Sequence, residues 1–119
     1  MKMNKPLSPT AHGVIDYVFS GVQLAGPALL GLNKSASRTY QALGAGYTII
    51  NALTDTPAGI KHLIPFRGHQ KADLGFLAGT SLLTMASFIR KDKKALYFHL
   101  GFLALALTNY LLTDYESGS

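Results

Sequence analysis

Four long stretches of this chain, residues 17–33, 39–54, 74–89 and 95–113, contain no Asp, Glu, Lys or Arg, and the charges cluster between them. Each stretch approaches the 17 to 25 helical residues or so needed to cross a hydrocarbon core about 30 Å thick. The two shorter ones reach full length if their helices begin upstream and take in Asp16 and Asp73, which then lie near a membrane face. The best single span is ALYFHLGFLALALTNYLLT, residues 95–113. A soluble four-helix bundle needs a polar outward face on every helix. Such faces are missing here, where charged residues make up 14% of the chain against about 25% in an ordinary soluble domain. The expected fold is therefore all-α, an integral membrane four-helix bundle in one domain of 119 residues.

Local signals set the expected boundaries. Ser8 is a good N-cap, and Pro9 in the first helical position forfeits only an N–H that has no partner there. Helix 1 is predicted over 9–31, with Pro27 kinking or thinning its last turns. GLNKSAS then supplies turn residues, helix 2 follows over 37–54, and DTPAG ends it. Pro65 opens helix 3, predicted as continuous over 65–89, and RKDKK leads into helix 4 over 95–115. Because Asp16 interrupts the apolar region and no small-residue cleavage site follows, the first helix is expected to be retained and not removed as a signal peptide.

Sliding the chain by 57 positions brings His12 onto His69, Asp16 onto Asp73, Phe19 onto Phe76 and YQALG onto YFHLG. Thr54-Asp55 and Thr113-Asp114, which close the two halves, align at 59. The pattern predicts two repeated helical hairpins, about 8–57 and 65–116, entering the bilayer from the same side so that equivalent residues share a depth. Small residues, Gly21 with Ala25, Gly44, and Gly75 with Gly79, are expected to let helices pack closely where lipid supplies no hydrophobic drive.

Residues four apart share a helix face, so His12 sits over Asp16 and His69 over Asp73, at equivalent depths. Asp55 and Asp114 return to the same end. The expected polar or ion site is thus His12, Asp16, His69, Asp73, Asp55 and Asp114. Three readings compete. In the preferred one each Asp accepts a hydrogen bond from a neighbouring His, and the pairs lock helices 1 and 3 together. In the second, His12, Asp16, His69 and Asp73 hold a divalent metal, zinc or manganese. In the third they handle protons or ions. His99 has no repeat partner, since position 42 is Ala, and is expected to make a helix–helix hydrogen bond.

Several classes are excluded. With no cysteine, disulfides, thiolate metal sites and cysteine nucleophiles cannot occur. No nucleophile elbow or phosphate-cradling loop is present, so no catalytic residues are expected. The net charge of +5 comes without basic residues interleaved with aromatics, which speaks against nucleic acid and for lipid head groups. Loops at one end carry Lys34, Arg38, Arg90, Lys91, Lys93 and Lys94, while the other end carries Lys2, Lys5, Lys61, Arg67 and Lys71; the small excess puts both termini outside.

Together SPTAHGVIDY, AGPALLG, ALGAGYTIINALTD and IPFRGHQKAD resemble the small bacterial multi-pass membrane proteins with SPW-type repeats. Gly26-Pro27-Ala28 stands where that family has Ser-Pro-Trp. The resemblance implies a bacterial cytoplasmic-membrane protein and carries no established activity. The resulting expectation is a structural or interaction module that self-associates and needs no cofactor, the alternative being a small ion-binding or proton-coupled carrier with a divalent metal.

Overall fold

The computed structural model describes residues 5–116. It is all-helical, with α1 over Pro9–Leu30, α2 over Lys34–Ala52, α3 over Phe66–Leu83, a short α4 over Ser87–Arg90 and α5 over Lys93–Leu112. Ser8 caps α1 as expected, its side chain accepting from the Ala11 N–H. The helix runs through Pro27 to Leu30 and stops on Gly31, whose φ of 70° is the left-handed conformation that only glycine adopts without strain.

Several boundaries differ from expectation: α5 runs over Lys93–Leu112 against the expected 95–115, because Asp92 caps its start by accepting from the Lys94 and Ala95 N–H groups, and α2 ends at Ala52 instead of 54. Helix 2 begins at Lys34, not 37, because Asn33 acts as its cap: the Asn33 side-chain oxygen accepts from the Ala36 N–H at 2.9 Å. The amide of the same residue donates to the Phe88 carbonyl and to Asp92 Oδ2, both at 2.8 Å, so one asparagine ties the α1–α2 turn to the α4–α5 turn. The expected continuous helix over 65–89 is broken after Leu83. Thr84, Met85 and Ala86 close with tight bonds to carbonyls three residues back, and Ala86 turns extended, with ψ 138°. That break swings Ile89 into full burial beside Tyr40 and Ala95.

Burial is inverted relative to a water-soluble bundle. The buried face of α1 is His12, Asp16, Ser20 and Gln23 with Pro9, Gly13 and Pro27, while Val14, Val18, Val22, Leu24 and Leu29 are exposed. In water such an exposed apolar face is a liability. In lipid it is the solvated surface, and polar groups must turn inward to find partners. Among the described residues two helices, Pro9–Leu30 and Lys93–Leu112, are long and apolar enough to cross a membrane. At about 1.5 Å per residue the 22 residues of α1 reach about 33 Å. Of the four spans expected, α2 and α3 do not meet that criterion: α2 is too polar along its length, with Gln41, Asn51 and several Ser, Thr and Tyr residues besides Lys34 and Arg38, and α3 carries Arg67, Lys71 and Asp73 in its first turns.

The small residues also divide differently from expectation. A methyl group at Gly44 would come within 2.9 Å of Gln23 Cβ and 3.1 Å of the Ser20 carbonyl, so glycine there sets the closeness of α1 and α2. Gly21, Gly75 and Gly79 have open space where a side chain would go, and Ala25 is exposed. These four do not pack helices within the chain, because α1 and α3 turn their polar faces inward and leave the small-residue faces outside.

All four long helices end together at the polar end. Leu7, just before α1, bridges Thr113 just after α5, and Ile64, before α3, bridges Thr54 after α2. The first bridge consists of Leu7 N–H to Leu112 O and Asp114 N–H to Leu7 O. The second consists of Ile64 N–H to Leu53 O and Asp55 N–H to Ile64 O. The donors and acceptors of the two bridges correspond at the 57- and 59-residue offsets seen in the sequence.

Candidate metal centre

Just inside the paired bridges, His12, Asp16, His69 and Asp73 converge. All four are buried, and one potential ligand atom from each lies within 4.8 Å of all the others. His12 Nε2 is 3.0 Å from Asp16 Oδ2 and 3.0 Å from Asp73 Oδ2. His69 Nε2 is 2.8 Å from Asp16 Oδ2 and 3.3 Å from Asp73 Oδ1. The two Nε2 atoms are 3.3 Å apart. Each carboxylate therefore serves both imidazoles, across α1 and α3 as well as along its own helix.

The opposite ring nitrogens decide what these atoms can do. Thr113 Oγ1 donates to the Asn109 carbonyl at 2.6 Å and lies 2.7 Å from His12 Nδ1. Thr54 Oγ1 donates to the Ile50 carbonyl at 2.7 Å and lies 2.8 Å from His69 Nδ1. A hydroxyl has one proton, and in both threonines it is given to the helix, so each can only accept from its histidine. Both imidazoles are thus assigned an Nδ1–H, and both Nε2 atoms point inward at each other and at two carboxylates. Neutral imidazoles so placed would oppose two lone pairs inside a dianionic cluster. The centre requires positive charge, as two extra protons or as one divalent cation.

The carboxylates are held just as firmly. Asn109 Nδ2 donates to Asp16 Oδ1 at 3.1 Å, leaving Oδ2 to face the imidazoles. The Tyr47 hydroxyl donates to Asp73 Oδ1 and the Tyr115 hydroxyl to Asp73 Oδ2, each at 2.6 Å. Burial, and then the Asp73 carboxylate, push the Tyr115 phenol far above its ordinary pKa, so it stays a donor across the whole working range. Phe66 closes the outer side, stacking on His69 and on Tyr115 with ring centroids 5.7 and 5.1 Å away.

Four of the six expected site residues come together, and two do not. Asp55 pairs with His62 at 3.1 Å, both side chains more than half exposed. Asp114 uses its N–H in the Leu7 bridge and its Oδ1 to accept from Glu116 N–H. The threonines beside them, Thr54 and Thr113, belong to the site instead, with Tyr47, Asn109 and Tyr115. The Thr-Asp ending shared by both halves was the available signal, and a short polar side chain facing inward outranks an acid that solvent can reach.

His99 makes a different arrangement. It is fully buried, with the Tyr40 hydroxyl on Nδ1 and Thr84 Oγ1 on Nε2 at 2.7 Å, and so joins α2 and the end of α3 to α5 as a hydrogen-bonded bolt. Comparison with protein-family models, with curated proteins and with solved structures finds no match to this chain.

Proposed function

We propose that this chain is a multi-pass membrane protein of two repeated hairpins that binds one divalent transition-metal ion at His12, Asp16, His69 and Asp73. The observation that carries the metal site is the pair of committed threonines, which place a proton on each Nδ1 and leave both Nε2 atoms directed inward, able to bind a metal ion when unprotonated. Metal-binding histidines characteristically have the other ring nitrogen tied up in this way. Two imidazoles and two carboxylates suit zinc, with manganese or ferrous iron next. Bonds of about 2.1 Å around zinc imply ligand–ligand edges of about 3.4 Å; the shared contacts run from 2.8 to 3.3 Å, reaching Asp73 through either oxygen, and one ligand atom from each residue fits within 4.8 Å of the others. Two carboxylates against one divalent ion also leave no net charge, which favours placement in a bilayer. The membrane reading is supported by the inversion of α1, and the repeat by the two matching bridges.

Elemental analysis of detergent-purified protein tests the reading. The expected result is about one metal ion per chain, lost in both His12→Ala and Asp73→Ala. The short N···O contacts favour one competing reading, a bundle lock of two imidazoliums and two carboxylates in a structural module without catalytic activity. Metal-free wild-type protein that is strongly destabilised by the same variants would establish that lock and overturn the metal site.

A further inference from the structure

A cavity of about 30 Å³ lies against the quartet within the bundle, room for about two water molecules. His12, Asp16 and Asp73 form part of its lining. Facing it as well are Ser20, Gln23 and Asn109, whose relative exposures are 3%, 1% and 6%. Each of these three has a buried polar atom without a protein hydrogen-bond partner: Ser20 Oγ, Gln23 Nε2 and Asn109 Oδ1. Phe19, Phe76 and Phe102 contribute apolar wall.

The placement is systematic. Asp16, Ser20 and Gln23 succeed one another at helical spacing on the buried face of α1, so a polar file leads from the carboxylate into the cavity. Asn109 joins the two, its Nδ2 donating to Asp16 Oδ1 while its Oδ1 has no protein partner. Buried polar groups nearly always have partners, and three orphans around one small space beside a cluster of ligand atoms call for a hydrogen-bonding occupant. Phe66 and Tyr115, which pack on the quartet's outer side, are not part of this lining.

Resting on the metal reading above, we propose that this cavity is the open coordination side of the centre. It holds an exchangeable water as a further metal ligand, and a second water hydrogen-bonded among Ser20, Gln23 and Asn109. A zinc site closed by four protein ligands alone leaves no place for a small molecule, whereas here the cavity side offers the four-ligand centre a fifth position, a coordination number zinc can reach. The cavity admits a molecule of very few heavy atoms that both donates and accepts hydrogen bonds.

The test uses full-length protein loaded with cobalt(II) in detergent. The expected result is stoichiometric cobalt with the weak visible absorption of a centre with more than four ligands, and electron paramagnetic resonance lines broadened by ¹⁷O-enriched water. In Ser20→Ala/Gln23→Leu, which leaves every metal ligand and the Asn109–Asp16 bond in place, the broadening falls and the absorption rises towards the four-coordinate form. Stoichiometric cobalt in wild-type protein with intense four-coordinate bands and no ¹⁷O broadening would overturn the open side while leaving the metal site standing. Failure to bind cobalt at all would remove both.

Discussion

His99 and the His12–His69 pair are alike in being fully buried among hydroxyl groups, and they teach opposite lessons. On His99 both ring nitrogens are occupied by hydroxyls, from Tyr40 and Thr84, so nothing is left over to bind a further group. On His12 and His69 one nitrogen is anchored by a threonine and the other is presented to two carboxylates. The first arrangement is complete within the protein and belongs to packing. The second concentrates negative charge and lone pairs where none of the described residues supplies a fixed cation, and a buried centre of that kind is costly unless protons or a metal ion complete it.

Breaking the quartet should have the largest effect. Asp16→Ala or His69→Ala strands buried charge and is expected to cost about 3–5 kcal/mol in thermal unfolding in detergent, with metal content falling to background. Thr54→Val and Thr113→Val sharpen the contrast, because they keep every ligand but release the ring that presents it. Metal affinity should drop about 10- to 100-fold, as read by competition with a chelator of known affinity. At the other end Tyr40→Phe removes one partner of His99 and should cost about 1–3 kcal/mol with metal content unchanged. If Tyr40→Phe released metal, the separation of the two histidine environments would be wrong.

Surface groups should matter least. His62→Ala, which removes the exposed partner of Asp55, is expected to change stability by less than about 1 kcal/mol and metal content not at all. Asp92 sits at the start of α5, where the Asn33 amide and then the Ala95 N–H hold its carboxyl below the ordinary value. A depressed carboxylate stabilises the fold above its unfolded pKa, and the contribution disappears as pH falls through the lower folded one. Unfolding curves of wild type and Asp92→Ala should therefore differ at neutral pH and converge in acid.

Much of this arrangement was readable in advance where a single local rule governed it. The Ser8-Pro9 start of α1 follows from capping alone, and the 57-residue register brought His12, Asp16, His69 and Asp73 forward as one group. The break after Leu83 was hidden because Thr84-Met85-Ala86 contains neither Gly nor Pro, and it is set by tertiary contacts of Thr84 and Ile89. The groups that hold the carboxylates were hidden for another reason. Tyr47, Asn109 and Tyr115 correspond at 57 positions to Ala104, Ala52 and Ala58, so a search by internal symmetry passes over them. Asp55 and Asp114 drew attention as acids at helix ends, yet exposure to solvent satisfies an acid without any partner, whereas Thr54 and Thr113 are fully buried.

X-ray absorption at the zinc edge, on zinc-loaded protein in detergent, bears on the central claim most directly. The metal site requires a first shell of two imidazole nitrogens with carboxylate oxygens at about 2.0–2.2 Å, and zinc no higher than background in His69→Ala. A shell of oxygen alone, or zinc retained by His69→Ala in the same surroundings as in wild type, would contradict it.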